Sequence, residues 1–358
     1  RRPNWPMLCG AAFVLYTTFI EWLVPDASAI NRQFPIWIML FFLLVGESQQ
    51  RGHNDEARFC FWLVLLVLPV WMFATLRGID MVGADVSRTI SRSSDDSREL
   101  TAQGIGGFGF VYTVILCLPF LAQLTLRFHP GPEERMQPRW KRRLRRLLVW
   151  CNFLLALALV LRAGYSIALI LSMLAVACVV LVRSRQFLRV AISICLVSVL
   201  VLGVSLAAKP VLDSLVNISA GTEYSAKVGD IRELLDEGES TGTVEGRAER
   251  YIRSIRLFAE NPVLGTLTFD DVGKHSAILD RFAQYGFAFG LLFLSLLIFV
   301  PLRYLRSSRV PIGLALAFSI VALGFPMLNN VFMSWGLILY VFSRGAFVEM
   351  GVPLERAS

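Results

Sequence analysis

A chain of 358 residues that is 55% hydrophobic and only 17% charged falls outside the range of soluble domains, in which about a quarter of residues are charged. Its net charge of +8 does not mark a nucleic-acid binder, because the basic residues lie mostly between apolar stretches of membrane length, where they serve as cytoplasmic anchors. The six cysteines (Cys9, Cys60, Cys117, Cys151, Cys178, Cys195) sit in or beside apolar stretches without CxxC spacing, which implies neither disulfide nor metal site.

A spanning helix needs about 20 mostly apolar residues. About ten stretches qualify by that rule, near 7–24, 33–47, 59–76, 104–126, 146–162, 164–182, 188–207, 285–302, 310–325 and 328–343. The expected fold is therefore all-α, a polytopic integral membrane protein. The second stretch is short, with Arg32 just before it. The fifth and sixth form one apolar run broken at Arg162-Ala163-Gly164-Tyr165. The break reads as a tight hairpin turn, since one helix of that length would overshoot the bilayer. The chain opens at Arg1 without a methionine and without a cleavable signal pattern, so it is expected to be a piece of a longer one that carries earlier helices.

Orientation follows the short basic loops. Arg127, Arg135, Arg139, Lys141, Arg142, Arg143, Arg145 and Arg146 mark residues 127–146 as cytoplasmic. Alternation outward puts Arg183, Arg185 and Arg189, then Arg303, Arg306 and Arg309, on the same side, together with both termini. The opposite face receives 77–103, the 162–165 turn, a long polar segment 208–284 and the turn 326–330. The polar, serine-rich stretch 77–103 carries no chemistry beyond a chance of substrate contact, and the Asn217-Ile218-Ser219 sequon is discounted because such short patterns are common. Three regions are expected: 1–207 with helices 1–7, 208–284 as a periplasmic catalytic loop, and 285–358 with helices 8–10 and a cytoplasmic tail.

The long segment is itself helical by pattern. Val228, Ile231, Leu234 and Leu235 recur at helical spacing within 223–237. A second helix is predicted from about Glu245 to Glu260, with Tyr251, Ile255 and Phe258 on one face. Asn261-Pro262 ends it, because a residue before proline avoids the helical region. The pair reads as a small cap lying on the bilayer.

That second helix carries Arg247, Arg250, Arg253 and Arg256. Three-residue spacing drifts by about 60° per step, so the four fan across one broad side. Guanidinium forks suit phosphate oxygens, and Arg247 opens the helix, where free N–H groups also favour anions. The competing reading is a basic amphipathic helix on anionic headgroups. Arg162, at the outer end of an apolar helix, is either functional or snorkels to the interface. His275 is the natural general base, placed after Gly273-Lys274 in a turn. Its imidazole has Asp280, Asp270 and Asp271 as candidate orienting groups. His53 and His129 fall on the cytoplasmic side. No second His or Cys stands at zinc-ligand spacing, and no cofactor is implied.

Taken together, Gly246-Arg247-x-x-x-Tyr251, Phe258-x-x-Asn261-Pro262-x-x-Gly265 and Gly273-x-His275-Ser276-x-x-x-Asp280-x-x-x-x-Tyr285-Gly286 resemble the O-antigen polymerase/ligase superfamily of bacterial inner-membrane GT-C glycosyltransferases. The resemblance is close over 246–290 and looser in the flanking topology. It implies metal-independent transfer of a glycan from an undecaprenyl-pyrophosphate donor. It also implies catalytic roles for His275, Arg247 and, at the periplasmic end of a middle helix, Arg162. There the family's serine-arginine pair is Leu161-Arg162. Arg250, Tyr251, Lys274 and Asp280 are expected to contact substrate.

Three functions are compatible with this pattern. A polymerase would join lipid-linked repeat units into O-antigen or exopolysaccharide, and the His275-Ser276-x-x-x-Asp280 variant resembles that branch slightly more. A ligase would move the finished glycan onto lipid A-core. A lipid-linked glycan flippase or other transporter fits less well, because transporters place polar residues mid-membrane at broken helices. Expected partners are the lipid-linked glycan, membrane lipids and a chain-length regulator and flippase of the same pathway, with no nucleic acid.

Overall fold

The computed structural model describes residues 5–23, 29–49, 54–82, 99–100, 102–126, 138–182, 243–268, 272–331 and 334–352. All regular structure among these residues is helical. The helices are α1 (Trp5–Leu23), α2 (Ala29–Gln49), α3 (Asn54–Val82), α4 (Phe108–Leu126), α5 (Arg139–Arg162), α6 (Ser166–Leu181), α7 (Thr243–Glu260), α8 (Ala277–Arg306) and α9 (Ile312–Leu328). A last helix, α10, runs through Ser334–Gly336, a π-helical turn Leu337–Phe342 and Ser343–Glu349. Asp55–Met81 in α3, and α4, α5 and α8, are long and apolar enough to cross a membrane, while α1, α2, α6 and α9 contain shorter apolar stretches. A multi-pass membrane protein is the architecture these helices support. The predicted span 188–207 and the predicted helix 223–237 lie outside the described residues.

The described residues divide into two compact units. One comprises 1–180, 292–325 and 331–358, the other 181–291 and 326–330. In the first, α4 is the central element. It has no charged residue, and every position from Val111 to Leu124 is buried, as expected of a helix apolar on all sides. Helix α5 packs on α3 and α4, and Asn152 in α5 donates from Nδ2 to the Leu65 carbonyl at 2.9 Å. Phe120 meets the rings of Phe318, Phe342 and Phe347 edge-on, with centroids 5.0, 5.9 and 5.6 Å away. These geometries suit the ring quadrupoles. The α5–α6 turn falls where the apolar run breaks. Gly164 takes φ +66° there, a conformation open to glycine at no steric cost.

Several boundaries differ from the sequence expectation. Helix α3 continues past the apolar run to Val82, which carries Asp80 on its last turn. Helix α8 begins at Ala277, ahead of the predicted 285, because Ser276 caps it. Helix α9 continues through Pro326 to Leu328 where a turn was expected.

Candidate functional site

The site is built in the second unit, around α7, the 261–268 turn, the Val272–Ser276 loop and the start of α8. Helix α7 turns Ser254 inward, 1% exposed, with Tyr251, Leu257 and Phe258 beside it in partly covered positions. Phe258 meets the Phe282 ring edge-on at 5.6 Å. Ile255, predicted on the packed face with Tyr251 and Phe258, is instead 52% exposed, since the packed face centres on Ser254, three and four residues from Tyr251 and Phe258. Arg250, Arg253 and Arg256 are exposed. Arg247 lies on α7 one turn before Tyr251.

Two of the motif fragments form one seam. Helix α8 is interrupted at Gly286, with φ 75° and ψ −173°. The break removes the helical demand on the carbonyls of Ala283 and Gln284. Those oxygens accept from the amides of Thr266 and Leu267, each at 2.9 Å, while the Phe287 amide donates to the Pro262 carbonyl at 2.8 Å. A Cβ on Gly286 would stand 2.1 Å from the Val263 carbonyl oxygen, and one on Gly265 2.4 Å from the Gln284 carbonyl. Both glycines also have positive φ, so close approach and backbone conformation each require the residue. The order Asn261-Pro262-x-x-Gly265 and Tyr285-Gly286 is thus the sequence trace of a turn stitched into a helix kink.

The loop before α8 is fixed by a buried polar hub. Ser254 Oγ donates to Asp280 Oδ1 at 2.6 Å and accepts the Gly273 amide at 2.9 Å. Asp280 Oδ2 accepts the Ser276 amide at 3.2 Å, and Ser276 Oγ accepts the Leu279 amide at 3.1 Å. The reciprocal pair works like a capping box with its acidic member one residue further along. Gly273 has no room for a Cβ, which would fall 2.1 Å from the Arg250 carbonyl oxygen. Lys274 then adopts φ 60°, and its carbonyl accepts Asn330 Nδ2 at 3.1 Å.

The end of α9 closes the same unit. The last carbonyls of a helix have no intrahelical partner. Here Leu328 accepts from the Tyr251 hydroxyl at 2.8 Å, Pro326 from Ser276 Oγ at 3.4 Å and Asn329 from the Ala277 amide at 3.0 Å.

On this scaffold His275 is partly exposed, and Arg250 Nη1 stands 3.0 Å from its Nε2. An arginine N–H only donates, so Nε2 accepts and the ring proton resides on Nδ1. Of the residues singled out from the sequence, the structure brings Arg250 and His275 into contact and places Lys274 next to them. Asp280 lies beneath, engaged by Ser254 and the Ser276 amide. Tyr251 is turned to the end of α9. Asp270 and Asp271 lie outside the described residues. Arg162 belongs to the first unit, where its Nη2 is 2.9 Å from Asp80 Oδ1, with side chains 64% and 54% exposed. Asp80, Ser254 and Asn330 were not legible as site residues: each matters through a partner far away in sequence, although a serine centred on the packed face of α7 was a usable signal. Among the described residues, no three His, Cys, Asp or Glu side chains gather as metal ligands would.

Comparison with known families picks out a stretch that overlaps the first part of this region. Residues 150–270 match the O-antigen ligase family model. The match covers about a third of the chain and includes Arg162, Arg247, Arg250 and Tyr251, so the resemblance carried by the motifs holds over that stretch. It ends before Lys274, His275 and Asp280. Members of the O-antigen ligase family are membrane enzymes that join lipid-linked glycans. No curated protein matches the chain.

Proposed function

We propose that this protein is a polymerase of the bacterial inner membrane that joins undecaprenyl-pyrophosphate-linked oligosaccharide repeats into O-antigen or exopolysaccharide. The observation that carries the reading is the contact between Arg250 and the imidazole of His275, on a loop held by the Ser254–Asp280 hub. The ring nitrogen facing Arg250 keeps its lone pair as an acceptor. A pyrophosphate arriving at the loop draws the guanidinium to its own oxygens, for which a charge-assisted fork is the better match. Nε2 is then bare to accept the proton of a sugar hydroxyl.

That hydroxyl attacks the anomeric carbon of the donor glycan. The bond from this carbon to the phosphate oxygen breaks, and the electron pair leaves with the polyprenyl pyrophosphate. Charge builds on the leaving group, and preorganised cations stabilise it. Arg250 and Lys274 supply two, and the family resemblance assigns Arg247 and Arg162 to the same task. No metal ion is needed in this scheme. The regions 1–207, 208–284 and 285–358 would act as membrane scaffold, periplasmic catalytic loop and closing helices.

A ligase is the second reading, favoured by the description of the matching family. The two share donor and chemistry and differ in acceptor: a lipid-linked repeat unit or lipid A-core. Deleting the gene and resolving the surface glycan on a gel separates them. Single repeats on the core are expected for a polymerase, and cores without repeats, with chains left on the carrier, for a ligase. Complementation with His275→Ala should fail to restore extension while the protein remains in the membrane. Wild-type chain lengths from that variant would remove the imidazole from the mechanism.

A further inference from the structure

At the basic end of the first unit, the N-terminal turns of α5 meet the N-terminal turns of α3 and the end of α10. The contact is organised by Glu349, whose side chain is only 7% exposed. Its carboxylate accepts from Arg145 Nη1 and from the Trp62 indole N–H, both at 3.1 Å, and stands 3.4 Å from Arg58 Nε. Arg145 also lies over the Trp62 ring, 5.0 Å from its centroid. Beside this cluster opens a pocket of about 160 Å³ lined by Trp62, Thr125, Arg145, Arg146, Trp150 and Glu349.

Arg145 shares Glu349 with Arg58, whereas Arg146, exposed and lining the same pocket, has no ionic or hydrogen-bond partner among the described residues. Two adjacent guanidinium groups on one pocket suit the oxygens of an anion. The volume is below the roughly 300 Å³ at which sites for drug-sized ligands begin, so it suits a compact headgroup. Two observations assign the anion to a lipid. Trp150, which lines the pocket, is 41% exposed, and Trp140 in the first turn of the same helix is 63% exposed, both among arginines, the composition of a membrane–water interface. The outer surface of α5 then continues as an apolar stripe through Leu147, Leu154 and Leu161, 66%, 56% and 59% exposed, which is a track for an acyl chain.

We propose that this pocket binds the phosphate of an anionic phospholipid of the inner leaflet, with Arg146 as its principal cation and Arg145 in support. Inner-leaflet placement follows from the basic residues of α5. The site is independent of the glycan chemistry and requires only that the helices sit in a bilayer.

The test is native mass spectrometry on the full chain, delipidated in neutral detergent and titrated with phosphatidylglycerol or phosphatidylcholine. A specific site retains phosphatidylglycerol preferentially. Arg146→Ala lowers that retention about fivefold, the worth of one cation near an anionic surface, and Arg146→Lys preserves most of it. Arg143→Ala removes an equal charge from a position of α5 that, unlike Arg146, does not line the pocket, and should lower retention less than Arg146→Ala does. Equal retention of the two lipids overturns the proposal, as does equal loss from Arg143→Ala and Arg146→Ala. Displacement of the lipid by an equal concentration of inorganic phosphate would also overturn it, by assigning the pocket to a soluble anion.

Discussion

Around α4 the chain is held by packing: a run of buried apolar side chains from Val111 to Leu124 and a ring of aromatic neighbours about Phe120. The unit that carries His275 is held differently. Its fixed points are three glycines that allow backbone to lie on backbone, two buried serines and one buried carboxylate, and a helix end whose carbonyls are taken by neighbours. Packing is non-directional and degrades gradually as volume is removed. Hydrogen bonds are directional, and losing one member leaves its buried partner unsatisfied at a specific point. The second arrangement suits a site where an imidazole must be presented at one angle.

This contrast predicts where substitutions act. The largest loss of stability is expected in the packed unit: Phe120→Ala should cost about 3–5 kcal/mol, read as a lowered melting midpoint of detergent-purified protein. Gly286→Ala comes next in overall effect, because its Cβ cannot avoid the Val263 carbonyl. It should abolish glycan joining while the purified protein still melts cooperatively, and full activity would refute the seam. Ser254→Ala leaves the Gly273 amide and an oxygen of Asp280 without their hydroxyl partner, a penalty of about 1–3 kcal/mol. It should reduce activity far more than it lowers the melting midpoint. The smallest effect is expected from Tyr251→Phe, which removes one hydrogen bond to Leu328 at about 0.5–1.5 kcal/mol. A loss of activity as deep as that of His275→Ala would move this hydroxyl from scaffold to chemistry.

The packed unit was largely legible from sequence, since hydropathy and length identify α3, α4 and the α5–α6 turn without knowledge of partners. Helix α7 and its stop at Asn261-Pro262 were equally legible, because a proline acts on its immediate neighbour. The hub was not. Asp280 read as a substrate ligand or an orienting group for His275, and only coordinates reveal that Ser254, 26 residues earlier, and the Ser276 amide occupy its oxygens. The ion pair of Arg162 was hidden for a similar reason. Asp80 lies beyond the apolar run of α3, and the run alone gave no cause to extend the helix to it. Local rules reach four residues along a helix, which covers the Ser276 amide, whereas Ser254 lies 26 residues from Asp280 and Asp80 is further still from Arg162.

The closure of α9 has an electrostatic consequence. A helix carries about half a negative charge at its C-terminal end and half a positive charge at its N-terminal end. The Ala277 amide, at the positive end of α8, donates to the Asn329 carbonyl beside the negative end of α9. The two macrodipoles are thereby set nose to tail and largely cancel. An anion approaching this edge experiences little field from the backbone, so its attraction rests on side-chain cations such as Arg250 and Lys274. Those charges stand in water, where added salt screens them within about 10 Å at 0.1 M ionic strength, and donor affinity should weaken as ionic strength rises.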